Sequence, residues 1–77
     1  MQTAKELQTF ERKNGSVILQ TTGSQYVITT SQRIRMDLVW VTESVRATID
    51  EALQEFTKHK LCIMSNRHCI GDKSHLR

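Results

Sequence analysis

The chain has 77 residues, of which 38% are hydrophobic and 25% are charged, and its formal net charge is +3. This size and composition predict one small folded domain and exclude a disordered chain. No apolar run approaches the about 20 residues that a membrane helix needs. Residues 1–57 carry six Lys and Arg against seven Asp and Glu, and residues 58–77 carry five against one, so the positive charge belongs to the tail.

Three or four antiparallel strands are predicted from the first forty-odd residues. Asn14-Gly15 is the dipeptide typical of a type I′ hairpin turn, in which both central residues have positive φ. It lies between "QTFER" and "SVILQTT", and a second turn at residues 22–25 leads into "YVITT". Residues 1–10 fit either a short helix or a strand that begins near Leu7, and we favour the strand. The segment "RIRMDLVWVT" alternates and predicts another strand.

One amphipathic helix is predicted over "TESVRATIDEALQEFTKHK", with Thr42 or Ser44 as its cap. Its apolar stripe is expected to pack on the strand face that carries one set of alternating residues. The stripe consists of Val45, Ile49, Ala52, Leu53 and Phe56, and the strand face consists of Ile34, Met36, Leu38 and Trp40.

The expected fold class is therefore α+β: an antiparallel meander of three to four strands, one C-terminal amphipathic helix packed on one face, and an irregular basic tail. Residues 1–61 form the predicted domain and residues 62–77 the flexible tail. The start "MQTAKELQTF" lacks the pattern of a secretory signal, and two cysteines are few for a secreted scaffold. We therefore expect a cytoplasmic protein.

Every histidine and cysteine lies between residues 59 and 75. His59, Cys62, Cys69 and either His68 or His75 are candidate ligands for a structural zinc ion, because zinc binds imidazole and thiolate. The pair His59-x-x-Cys62 has a chelating spacing, but the remaining spacings match no known zinc finger. A solvated tail with unrelated cysteines, or a disulfide between the two, is the alternative.

Catalytic chemistry is not indicated. Cys69 follows His68 in a basic stretch, but a nucleophile also requires a base held in place by a third group. The carboxylates Asp50, Glu51 and Glu55 are interpreted as a solvated helix face. We expect a protein that is not an enzyme and that needs no cofactor.

Nucleic-acid binding is one candidate function. Arg33 and Arg35 are expected on an exposed strand face near Arg12 and Lys13 of the first hairpin, with Tyr26 as a stacking ring and the tail lysines as phosphate contacts. The alternative is that these arginines pair with Asp37 and Glu11 across strands and keep the face soluble.

Protein binding is the function that the sequence favours. Val39 and Val41 are expected on the sheet face opposite the helix, where they need a cover, and Tyr26 is added as a partner-binding residue. An edge strand such as "SVILQTT" or "YVITT" offers free backbone groups. We expect a small regulatory or accessory protein that binds another protein, as a homodimer. The segment 61–64, folded back on the valines, is the alternative cover.

Overall fold

The structure is a computed structural model and describes residues 5–77. These residues form five strands and one helix. Each strand runs antiparallel to the next, and their order in the sheet is their order in the sequence. Helix α1 lies in the sequence between the fourth and fifth strands. The elements are β1 (Lys5–Arg12), β2 (Gly15–Thr21), β3 (Tyr26–Arg35), β4 (Leu38–Arg46), α1 (Ile49–Met64) and β5 (Lys73–Leu76).

The α+β class, the antiparallel sheet and the single helix are confirmed, and the finer description needs three corrections. The described sheet has five strands instead of three to four. The helix is not the C-terminal element, because β5 follows it and pairs with β4. The tail is not irregular throughout: α1 continues to Met64, so the proposed division between residues 61 and 62 cuts through the helix.

Strand β1 begins at Lys5, which agrees with the strand alternative for residues 5–10; residues 1–4 lie outside the described residues. The hairpin after β1 is present, but its turn is not type I′. Among the described residues, positive φ occurs at Gly23 and Asn66 and not at Asn14 or Gly15. Gly15 is needed for another reason: a Cβ there would stand 2.3 Å from the Ser31 carbonyl oxygen.

The apolar core lies between α1 and the two strands β2 and β3. Side chains on one face of a strand alternate with those on the other, and the helix-facing set is buried. Ala52, Phe56 and Ile63 of the helix cover this set. The strands contribute Val17, Leu19 and Ile28, with Phe10 and Tyr26 packed at the margin.

The predicted core face on "RIRMDLVWVT" was wrong, because the alternation runs across a turn. Met36 occupies that turn and is 96% exposed, and Ile34 is also exposed. The register shifts between Arg33 and Arg35, so the residues before and after the turn do not share one continuous face. Leu38 and Trp40 are half-buried in β4.

The predicted helix stripe was partly wrong. Val45 belongs to β4, and Thr48 is the N-cap, with its hydroxyl oxygen accepting the backbone N–H of Glu51 at 3.3 Å. Ile49 and Leu53 are exposed. The buried stripe consists of Ala52, Glu55, Phe56, His59 and Ile63. It includes two ionisable residues, which an apolar periodicity does not detect.

Candidate functional site

A buried polar cluster joins α1 to β3 and β4. Ser44 Oγ donates to Glu55 Oε2 at 2.9 Å, and His59 Nε2 lies 3.0 Å from the same oxygen. On the other side of the ring, Thr30 Oγ1 lies 2.5 Å from His59 Nδ1. Because neutral imidazole carries one N–H, these partners assign the proton to Nε2, with Nδ1 accepting the Thr30 hydroxyl proton.

The pKa values in this cluster agree with an ionised carboxylate beside a neutral imidazole. Burial lowers the pKa of His59, and the neighbouring Glu55 carboxylate only partly opposes it. Burial alone would raise the pKa of Glu55. Hydrogen bonds from Ser44 and His59, together with nearby positive charge, outweigh burial and hold the pKa of Glu55 below its usual value.

Arg46 connects the cluster to the segment before β5. Its guanidinium lies 3.3 Å from Glu55 Oε2 and 2.9 Å from Asp72 Oδ2. Asp72 also accepts the backbone N–H of Val45 at 3.0 Å, at the end of β4 that β5 does not reach. These contacts lower the pKa of Asp72, the Val45 N–H first and the Arg46 side chain second. One carboxylate thus holds residues distant in sequence together.

Thr30, His59 and Glu55 have the order of a hydroxyl, a base and an orienting acid, but the arrangement faces the protein interior. Thr30 and His59 are 0% exposed and Glu55 is buried. A nucleophile must reach its substrate, and here the hydroxyl is enclosed between the sheet and the helix. Within residues 5–77 every buried side-chain nitrogen or oxygen has a hydrogen-bond partner. The cluster therefore stabilises the packing of α1 on β4.

The four candidate zinc ligands do not come together. His59 is engaged on both ring nitrogens, and His75 lies on β5 opposite Val41, on the sheet face away from the helix. Across residues 5–77, no group of three or more His, Cys, Asp or Glu side chains has the arrangement of a metal site.

The two cysteines are free thiols near the end of α1. Cys69 is fully buried, and its Sγ lies 3.5 Å from the His59 carbonyl oxygen. Burial, followed by a hydrogen bond with the half-buried Cys62 thiol, raises the pKa of Cys69. A buried thiol with a raised pKa is a poor nucleophile, so this position serves packing.

Val39, Val41 and Tyr26 do not form one surface. Val39 and Val41 lie on the sheet face away from the helix, paired with Arg33 and Ser31 of β3. Val41 is only 4% exposed although it faces away from the helix, and it is flanked by Ser31 of β3 and His75 of β5. Tyr26 packs against the apolar core on the helix side. The segment 61–64 belongs to α1 and covers neither valine.

The four candidate nucleic-acid residues lie at one end of the sheet. Arg12, Lys13 and Arg33 line one depression there, and Arg35 immediately precedes the β3–β4 turn. The tertiary structure adds two cations that the sequence did not place. Arg67 lines a second depression together with Arg33, and the Arg77 backbone pairs with that of Val39. We call these six cations the basic end: Arg12, Lys13, Arg33, Arg35, Arg67 and Arg77.

Two aromatic rings lie beside the basic end. Trp40 and His68 stack with their ring centroids 6.1 Å apart and an interplanar angle of 26°. Trp40 Nε1 donates to the Cys69 carbonyl oxygen at 3.0 Å, which fixes the indole, and His68 is exposed. The sequence indicated neither the stack nor its position, because 28 residues separate the two rings.

The C-terminal end of α1 reaches the same region. Asn14 Nδ2 donates to the Ile63 carbonyl oxygen at 3.0 Å and to Asn66 Oδ1 at 2.7 Å. The hairpin asparagine thus satisfies a carbonyl in the last turn of the helix, which explains its position without a positive φ. This contact holds residues 66–68 beside the β1–β2 turn.

The outer edge of β1 is a further candidate surface. β1 is an edge strand of the sheet, and in the described part of the chain β2 is its strand partner. Above it lies an exposed apolar side of α1, which we call the helix flank: Ile49, Leu53 and Met64. Lys60 lies on this side too, with its Nζ 5.2 Å from the Phe10 ring centroid of β1, so the helix flank faces β1.

Comparisons with known proteins add no further constraint. No protein-family model, curated protein or solved structure matches this chain. In residues 5–77, no helix has the length and apolar character required to cross a membrane.

Proposed function

We propose that this protein is a small non-enzymatic regulatory or accessory protein that acts by binding protein, and that it forms a homodimer through β1. The observation that carries the proposal is the outer edge of β1 beside the helix flank. An eight-residue edge strand offers a row of backbone N–H and C=O groups, and the adjacent apolar side chains supply surface to bury.

One pairing register of β1 matches its charges to those of a second copy. Lys5 and Glu6 lie at one end of the strand, and Glu11 and Arg12 lie at the other. In the antiparallel register of two β1 strands that is centred on Gln8, Lys5 of each copy lies opposite Glu11 of the other, so a cation meets an anion on both sides of the two-fold axis. The same pairing brings the two helix flanks towards each other.

β1 is a better interface than the strands and valines that the sequence suggested. "SVILQTT" and "YVITT" are β2 and β3, which are paired on both sides and offer no edge. Val41 is already buried. At the other edge of the sheet, β5 has four residues and Asp72 accepts the next free N–H of β4. β1 is thus the longer edge.

We further propose that the protein acts in the cytoplasm. Both cysteines are free thiols, and Cys69 is buried in the reduced form. Reduced cysteines are typical of the cytosol, where thiol-reducing systems operate.

The mass in solution tests the dimer. We expect the wild-type chain of 8.9 kDa to sediment with about twice that mass. Leu7→Lys combined with Leu53→Lys places charge on the edge and on the helix flank, and it should return the mass to that of a monomer. Leu61→Lys is the matched control, because Leu61 is exposed on another side of α1 and should leave the dimer intact.

Two results would contradict this proposal. One is a monomeric mass for the wild-type protein at concentrations of about 100 μM, which corresponds to a self-affinity too weak to matter. The other is dissociation by Val39→Asp while the Leu7→Lys, Leu53→Lys protein remains dimeric, which would place the interface on the opposite face of the sheet.

A further inference from the structure

We propose a second binding site, for single-stranded nucleic acid, at the basic end and the Trp40–His68 ring stack. It is independent of the proposed dimer. Six cations lie at this end of the sheet, contributed by the end of β1 and its turn, the end of β3, the segment after α1 and the residue after β5, and Arg33 lines both depressions. The acids at this end are Glu11, which lines the first depression, and Asp37 of the β3–β4 turn, so positive charge predominates there.

Folding concentrates charge that the sequence spreads over the whole chain. Residues 12 and 77 are far apart in the sequence. Both lie at this end of the sheet because the C-terminal ends of β1 and β5 lie there. The acidic start of α1, with Asp50 and Glu51, lies at the other end of the helix. A surface with this positive potential attracts the phosphates of a nucleic-acid backbone.

The Trp40 and His68 rings indicate that the ligand presents bases as well as phosphates. His68 is exposed and stacks on the Trp40 indole, which is held in place by its own hydrogen bond to the Cys69 carbonyl oxygen. Arg33 and Arg67 line the adjacent depression with His68. Flat aromatic and guanidinium groups stack on unpaired bases, and each base stacked on an aromatic ring contributes enough to change affinity severalfold.

These features favour a single strand over a duplex and over a lipid surface. In a duplex the bases are stacked on one another, so the ring of a surface side chain such as His68 does not reach their faces. The basic end presents no helix that could lie in a major groove, because α1 reaches this surface only with its C-terminal end. An anionic lipid headgroup would be attracted by the cations but would make no use of the ring stack.

Fluorescence anisotropy with a labelled mixed-sequence single-stranded DNA of about 15 nucleotides tests the site. We expect saturable binding at 50 mM KCl that weakens at least about tenfold at 200 mM KCl, because counterions are released. Arg33→Ala combined with Arg67→Ala should weaken binding at least about tenfold. His68→Ala should weaken it about fivefold or more, through the lost stacking.

The matched control removes the same charge from elsewhere. Lys5→Ala combined with Lys73→Ala lowers the net charge by two outside the basic end, and it should change affinity less than the arginine pair does. Circular dichroism of each variant confirms that the fold is retained. A blunt duplex of the same sequence and vesicles that contain phosphatidylserine are the competing ligands.

Absence of salt-dependent binding to the single strand would overturn the proposal. Equal losses in the arginine pair and the lysine pair would show a diffuse attraction instead of a site. Binding to the duplex or to the vesicles as tight as binding to the single strand would also overturn it, because neither ligand presents an unpaired base. Since Leu7 and Leu53 lie outside the site, the monomeric variant should bind as the wild type does.

Discussion

The two sides of the interface beneath α1 are built from different chemistry. Over β2 and β3 the helix buries an apolar cluster, in which Leu19 and Ile28 meet Phe56 and Ile63. Over β4 it buries hydrogen-bonded polar groups, with Glu55 at their centre. Apolar contacts depend on buried area and shape, whereas hydrogen bonds also depend on direction. The apolar side therefore contributes most of the stability, and the polar side holds α1 in register with β4.

Leu19→Ala should have the largest effect, because it removes buried methyl groups from the apolar side. Leu19 is 1% exposed, and we expect a loss of about 3 kcal/mol in the free energy of unfolding. Leu61→Ala removes the same atoms from an exposed helix position and should change the value by less than about 0.5 kcal/mol. Urea titration followed by circular dichroism measures both. Similar losses in the two variants would contradict the assigned core.

Glu55→Ala should have the next largest effect. It leaves Ser44 and His59 without their acceptor in a buried place, and we expect a loss of about 2 kcal/mol. Asp50→Ala is the control: Asp50 is an exposed carboxylate in the first turn of the same helix, and its removal should cost a few tenths of a kcal/mol. An unfolding free energy that is equal in the two variants would show that the polar side contributes nothing specific.

Acidification should have the smallest effect, and it should act on the polar side first. The pKa of His59 is lowered in the folded state, so the unfolded state binds the proton more readily. Stability is then complete above the unfolded value of about 6.5 and declines as the pH falls through the folded pKa, by at most about 1.4 kcal/mol per pH unit for one proton. Glu55, whose pKa is also lowered, adds a second decline below about pH 4.3.

The slope of unfolding free energy against pH between 7.5 and 5.0 measures the His59 contribution. His59→Gln should flatten that slope whatever its effect on absolute stability, and His75→Gln, an exposed residue of β5, should leave it unchanged. A His59→Gln slope identical to that of the wild type would mean that the buried imidazole is not the group that titrates.

Local patterns predicted those features that depend on near neighbours in the chain. The hairpin at Asn14 and the α+β class follow from residues within a few positions of one another. The predicted boundaries were wrong where a side-chain pattern continued from one element into the next. Alternation around Met36 continued through the β3–β4 turn, and Val45 matched the helical period although it lies in β4. Periodicity reports which positions are apolar and not which element carries them.

The candidate sites show the same division. Arg12, Lys13, Arg33 and Arg35 could be grouped from the order of strands, because neighbouring strands in a meander place their turns at predictable ends. Arg67 and His68 could not, because their place depends on Asn14 and Gln32 holding the segment after α1. The sequence also did not predict which strands form the edges of the sheet, since the pairing of β5 with β4 makes β4 an interior strand.

By itself, the sequence of this protein determined an antiparallel sheet with one helix, since turn residues and side-chain periodicity act over short distances along the chain. Only the tertiary structure decided that the tail closes one side of the sheet, that Glu55 and His59 are buried, and that the cations gather at one end. Those outcomes depend on contacts between different elements, such as Arg46 with Asp72 and Thr30 with His59, whose partners are 26 and 29 positions apart. Such contacts form only when the whole chain packs, because hydrogen bonds and buried charges require partners that no local pattern specifies.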